Sequence, residues 1–142
     1  MFRYPDLVEK DEKKSLEYYK KAEKEGNGES SNELYQIYKK GDMVEKNEKK
    51  SILHLKRASK SNFLSASYLL ADFYFFGNFP LVKKNPSKAF HIFQRNSVLQ
   101  HFPSTFFLAH IYYEGIITQK NFQKVFFFFL HFFFFFYFIF LI

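Results

Sequence analysis

Val8-Glu-Lys-Asp-Glu-Lys-Lys-Ser15 and Val44-Glu-Lys-Asn-Glu-Lys-Lys-Ser51 agree at seven of eight positions across a spacing of 36 residues. Val82-Lys-Lys-Asn-Pro-Ser-Lys-Ala89 repeats the pattern 38 residues further on, and Asn121-Phe-Gln-Lys-Val125 opens a fourth copy. Self-similarity at such a period marks a repeat architecture. The column Asp11, Asn47, Asn85, Asn121 puts a short oxygen-bearing side chain where it can accept from the orphan N–H groups of a helix's first turn. Pro86 follows Asn85 at the first helical position, where its missing N–H costs nothing.

A second set of columns lies between the caps. Ser30, Ala66 and Ser104 align, then Leu34, Leu70 and Leu108, then Tyr38, Tyr74 and Tyr112, then Gly41, Gly77 and Gly115. Small-x-x-x-Leu-x-x-x-Tyr runs i, i+4, i+8 down one helix face, and the glycine three residues on can take the left-handed conformation that ends it. Each unit therefore reads as two helices, the first starting at the Asx cap and the second ending at glycine.

These columns resemble the Sel-1-like repeat, a relative of the tetratricopeptide repeat. Leu34, Tyr38, Gly41, Val44, Asn47, Lys50 and Ser51 match one copy of the family pattern. Leu70, Ala71, Tyr74, Gly77, Val82, Asn85, Lys88 and Ala89 match the next, and Leu108, Ala109, Tyr112, Gly115, Asn121 and Lys124 begin another. The resemblance implies an all-α solenoid of about three helix pairs, with the Leu, Tyr and small columns in its core. It also implies a non-catalytic scaffold or adaptor for other proteins; some family members act in membrane-associated quality control at the endoplasmic reticulum. Two departures bear on packing. The glycine that follows Leu in the family is Tyr35 in the first copy, which should splay the helix pair or point outward. The late alanine of the first helix becomes Asn96 in the third copy, which should loosen it.

If the consensus columns are core, a contact surface must come from other positions on the same helices. Asn32/Gln36/Lys39, Tyr68/Asp72/Phe75 and Phe106/His110/Tyr113 lie i, i+4, i+7 on a face turned away from the Leu column. Stacked repeats would align them as a stripe on the concave side, offering aromatic area and a few polar groups to a protein or peptide. The other reading is that Tyr68, Phe75, Phe106 and Tyr113 fill gaps between neighbouring repeats.

Composition narrows the functions. The 142 residues carry 21 Lys and Arg against 14 Asp and Glu, a net charge of +7. Only Arg3, Arg57 and Arg95 are arginine, and the lysines are interleaved with acids on helical segments, which is the pattern of solvated faces rather than of a specific nucleic-acid reader. Nonspecific binding of RNA or acidic surfaces remains the alternative for those lysines. There is no cysteine, and so no disulfide or thiolate site. His54, His91, His101 and His110 share no column and form no His-x-x-x-His pair. With no glycine-rich phosphate loop either, the sequence nominates neither a catalytic nor a metal residue and implies no cofactor.

The ends set expectations of their own. Residues 1–10 read as the remnant of a preceding repeat, 11–124 as the repeat array and 125–142 as an apolar tail. Asp6, Glu9 and Lys10 break any hydrophobic run near the start, so no signal peptide is expected and a cytoplasmic array is. The opening inside a loop, without a capping helix, points to a slice of a longer repeat protein. The tail holds 11 of the 23 phenylalanines. As a helix its 18 residues would span about 27 Å, against about 30 Å of hydrocarbon. Three readings stay open: a membrane anchor with cytosolic repeats, a T-rich non-coding stretch read as protein, and a buried helix.

Overall fold

Helix ends fall where the caps put them. The Asn47 Oδ1 accepts from the Lys50 amide at 2.9 Å, Asn85 from Lys88 at 2.9 Å and Asn121 from Lys124 at 3.0 Å. The computed structural model describes residues 12–128 and residue 130, so Asp11 lies outside the described residues. The described part contains α1 (Glu12–Lys24), α2 (Gly28–Lys40), α3 (Glu48–Lys60), α4 (Leu64–Phe76), α5 (Pro86–Val98) and α6 (Phe102–Glu114). Residues 122–128 are helical again, and no strand occurs among the described residues. Asn27 is a further cap outside the column, its side chain accepting from the Ser30 amide at 2.7 Å. Asn47→Ala and Asn85→Ala are each expected to cost about 1 kcal/mol. Urea midpoints measure this, and an unchanged midpoint in both would remove the Asx column from the account.

The glycine column closes the second helix of each pair. Gly41, Gly77 and Gly115 have φ of 82°, 70° and 70°, and their amides donate to the carbonyls of Ile37, Phe73 and Ile111. A Cβ at Gly77 would also stand 2.9 Å from Lys84 Cβ, so this position excludes a side chain on both conformational and steric grounds.

A two-part lock then ties each glycine turn to the next helix. The carbonyls of Tyr38, Tyr74 and Tyr112 accept from the amides of Asn47, Asn85 and Asn121 at 2.8, 2.7 and 3.0 Å. One turn later the ammonium groups of Lys50, Lys88 and Lys124 sit 5.2, 4.6 and 4.7 Å from the centroids of the same three tyrosine rings. Cation–π contacts of this kind contribute about 0.5–1 kcal/mol each at partly exposed sites. The tyrosine column thus serves the turn with its backbone, the core with its ring and the next helix with its π face.

The chain divides into two compact units, 1–63 and 64–142. In the first, α2 packs against α1 and α3. Its core holds Leu34, Tyr35, Ile37 and Tyr38 from α2 and Ile52, Leu55 and Ala58 from α3. In the second, α5 packs against α4 and α6, burying Ala89, Phe90 and Phe93 with Leu70, Tyr74, Leu108 and Tyr112.

The outward alternative for Tyr35 is corrected here: its side chain is fully buried, and the hydroxyl has no hydrogen-bond partner. Burial of a large ring contributes about 1.5–3 kcal/mol. That offsets the roughly 1–3 kcal/mol cost of an unpaired hydroxyl. Asn96 is also fully buried; its Oδ1 accepts from the Ser67 hydroxyl at 2.8 Å while Nδ2 is left without a partner. No helix among the described residues is long and apolar enough to cross a membrane. Most of the expected apolar tail, from residue 131 onward, lies outside the described residues.

Candidate interaction site

The three copies of the expected stripe meet different fates. On α2, Asn32 and Gln36 are half-buried and Lys39 is exposed, its ammonium 5.3 Å from the Tyr35 ring centroid. On α4, Tyr68 and Asp72 are half-buried and Phe75 is buried. The Tyr68 ring lies 5.5 Å from Phe93 and 5.6 Å from His101. Phe75 meets Phe107 edge-on at 5.0 Å. In this copy the aromatic residues fill the space between helices. Burial pushes the Tyr68 hydroxyl above its ordinary pKa, and the Asp72 carboxylate adds to the rise. Burial pulls the His101 imidazole below its own.

On α6 the same columns are open. Phe106 is 69% exposed and Tyr113 52%, with His110 exposed between them. Together with Ala109, Phe122 and Val125 they line a cleft of about 370 Å³. The Tyr113 and Phe122 rings meet edge-on, centroids 6.1 Å apart. Its lining is aromatic and aliphatic with one imidazole, a composition suited to a large apolar side chain plus one hydrogen bond. Among the described residues no group of three His, Asp, Glu or Cys side chains could hold a metal ion.

The sequence pattern missed two features. Phe107 is the hub of the second unit's aromatic cluster, 4.6 Å from Phe93, 5.0 Å from Phe75 and 6.5 Å from Tyr68. Its signal was its place four residues before Ile111 on a buried face. The second feature is a polar cluster joining α1 to α3. Glu23, with a side chain only 6% exposed, places Oε1 2.6 Å from His54 Nδ1 and Oε2 2.7 Å from Arg57 Nη1. Burial alone would raise the Glu23 pKa. Hydrogen bonds from His54 and Arg57, the His54 charge and a hydrogen bond from Ser31 outweigh burial and hold it below its ordinary value. No motif announces this cluster, because its members stand 31 and 34 residues apart.

Comparison with known proteins completes the picture. No curated protein matches the chain. A Sel1 repeat protein from Oxalobacter formigenes superposes with a TM-score of 0.70 at 25% identity, over 76% of this chain and 80% of that one. The protective antigen c5321 of uropathogenic Escherichia coli strains, which has an SLR fold, gives 0.62 at 21% identity over 83% of this chain and 25% of that one. The all-α helical solenoid expected from the columns is the fold these structures share with it. The Sel1 repeat model matches residues 1–27, 36–63, 64–95 and 103–129, four successive copies that cover most of the sequence. The chain belongs to the Sel1 repeat family.

Proposed function

We propose that this chain is a non-catalytic protein-interaction scaffold whose α6 face, with Phe106, His110, Tyr113 and the neighbouring Phe122, receives an apolar anchor from a protein or peptide. The observation that carries this reading is a difference within one column set. Half-buried Tyr68 and buried Phe75 pack against Phe93 and Phe107, whereas Phe106 and Tyr113, their counterparts 38 residues on, are open and line a cleft. Contiguous exposed aromatic area marks an interaction surface far more often than isolated apolar residues do, and anchors of this kind concentrate binding energy.

Peptides selected by display against the folded chain are expected to lose about tenfold or more in affinity for the Phe106→Ala/Tyr113→Ala double variant. Its melting temperature should stay close to wild type, because both side chains are largely exposed. Unchanged affinity would remove the cleft from this role. A melting temperature that fell steeply would instead make these rings part of the packing.

A second reading, membrane attachment through 125–142 with the repeats facing the cytosol, draws on the exposure of Phe126 and Phe127, each more than 60% open. Retention in the membrane pellet after an alkaline wash supports it, and release into the supernatant removes it.

A further inference from the structure

The first unit holds a concave site of different chemistry from the α6 cleft. Helix spacing brings Lys20, Glu23 and Lys24 to one face of α1 and His54 and Arg57 to one face of α3. These five residues line a pocket of about 480 Å³. Three permanent cations surround a single carboxylate, and that carboxylate is already committed, one oxygen to His54 and the other to Arg57. His54 is itself held: its ring is 9% exposed and stacks flat on Tyr38, centroids 5.2 Å apart and planes within 2°. The Arg57 guanidinium is therefore fixed at one edge by a buried acid that is fixed in turn by the repeat framework. Half of the arginine side chain remains open, and Lys20 and Lys24 are exposed beside it.

We infer that this pocket binds a side-chain carboxylate from an acidic segment of a partner protein, with Arg57 as the oriented fork and Lys20 and Lys24 as flanking charges. A guanidinium presents several N–H donors in one plane, matches a carboxylate with two parallel hydrogen bonds, and loses less entropy when already oriented. The site favours a peptide over a nucleic acid for two reasons. It is a local concavity, and Glu12 and Glu17 within α1, with Glu25 just after it, interrupt the basic track that a phosphate backbone would follow. The inference extends the scaffold reading to a second contact. It stands apart from the α6 cleft, because none of its residues belongs to that unit.

The test uses the full chain and a fluorescein-labelled hexa-aspartate peptide, with binding read by anisotropy at fixed ionic strength. Arg57→Lys conserves charge but loses the fork, and is expected to weaken binding about tenfold. Lys20→Ala/Lys24→Ala should weaken it at least as much. Lys40→Ala, which removes a charge at the end of α2, should stay within about twofold. Carbodiimide coupling of bound peptide carboxylates to lysine amines provides a second readout on the unmodified chain, with Lys20 and Lys24 as the expected products. Equal binding by Arg57→Lys, equal weakening by Lys40→Ala, or coupling spread evenly over the lysines would overturn the inference. So would poly-uridine binding more tightly than the peptide and with no dependence on Arg57, or inorganic phosphate displacing the peptide at equal concentration.

Discussion

Phe93→Ala is expected to destabilise the second unit by about 3–5 kcal/mol, the range for removing a fully buried aromatic ring. Phe93 has no exposed surface, and its ring centroid lies 4.6 Å from Phe107 and 5.5 Å from Tyr68. Phe107 in turn supports Phe75 at 5.0 Å, so truncation at residue 93 leaves a void under a ring shared by α4, α5 and α6. Typical domain stability is about 5–15 kcal/mol. The loss is therefore large enough to appear as a separate early transition in urea, since helical repeats interact mainly with their neighbours. Near-UV circular dichroism follows the aromatic cluster directly. Phe93→Leu should recover most of the loss by refilling the volume. A cost below about 1 kcal/mol for the alanine variant would mean that the cluster is not tightly packed.

The second large effect is at Glu23. Its carboxylate is buried and bonded on both oxygens, so Glu23→Gln is expected to cost about 2–3 kcal/mol near neutral pH. The pH dependence gives the prediction its sign. The folded-state pKa lies below its ordinary value of 4.5, so the stability contributed by Glu23 is fully present above that value and is lost as pH falls through the folded value. Thermal melts of wild type and Glu23→Gln should therefore differ most at neutral pH and converge as the medium becomes more acidic than the ordinary carboxylate range. A constant gap across that range would show that the carboxylate charge contributes nothing to the α1–α3 connection.

These two residues also mark the limit of what the sequence made legible. The Asx, Leu, Tyr and Gly columns could be read directly because each answers to a local rule: a cap oxygen, a helix face, a left-handed turn. They located the helix ends, and Asn47, Asn85 and Gly115 stand as the spacing required. The lysine of the Asx-x-x-Lys pattern was visible, but its target was not, because the tyrosine ring it covers lies 12 to 14 residues back, across a turn.

Burial within a column could not be read at all. Phe75 and Tyr113 hold equivalent positions, yet one is covered and the other is 52% open, because exposure depends on what the next helices bring. For Phe75 that is Phe107; beside Tyr113 stands Phe122, which meets it edge-on and leaves the cleft. Tyr35 makes the same point in reverse: bulk in a small-residue column suggested a splayed helix pair or an outward ring, and the ring lies inside. Glu23, His54 and Arg57 looked like surface charges and a stray imidazole, since their pairing exists only once α1 and α3 are side by side.

Backbone amide mapping by nuclear magnetic resonance tests the central claim most directly. A display-selected peptide is titrated into isotopically labelled chain, and the shifted amides are assigned. The scaffold reading predicts saturable shifts concentrated on 106–113 and 122–125, with the buried Leu and Tyr columns little changed. Shifts confined to other faces, or peptides that bind only when the chain is unfolded, would contradict it.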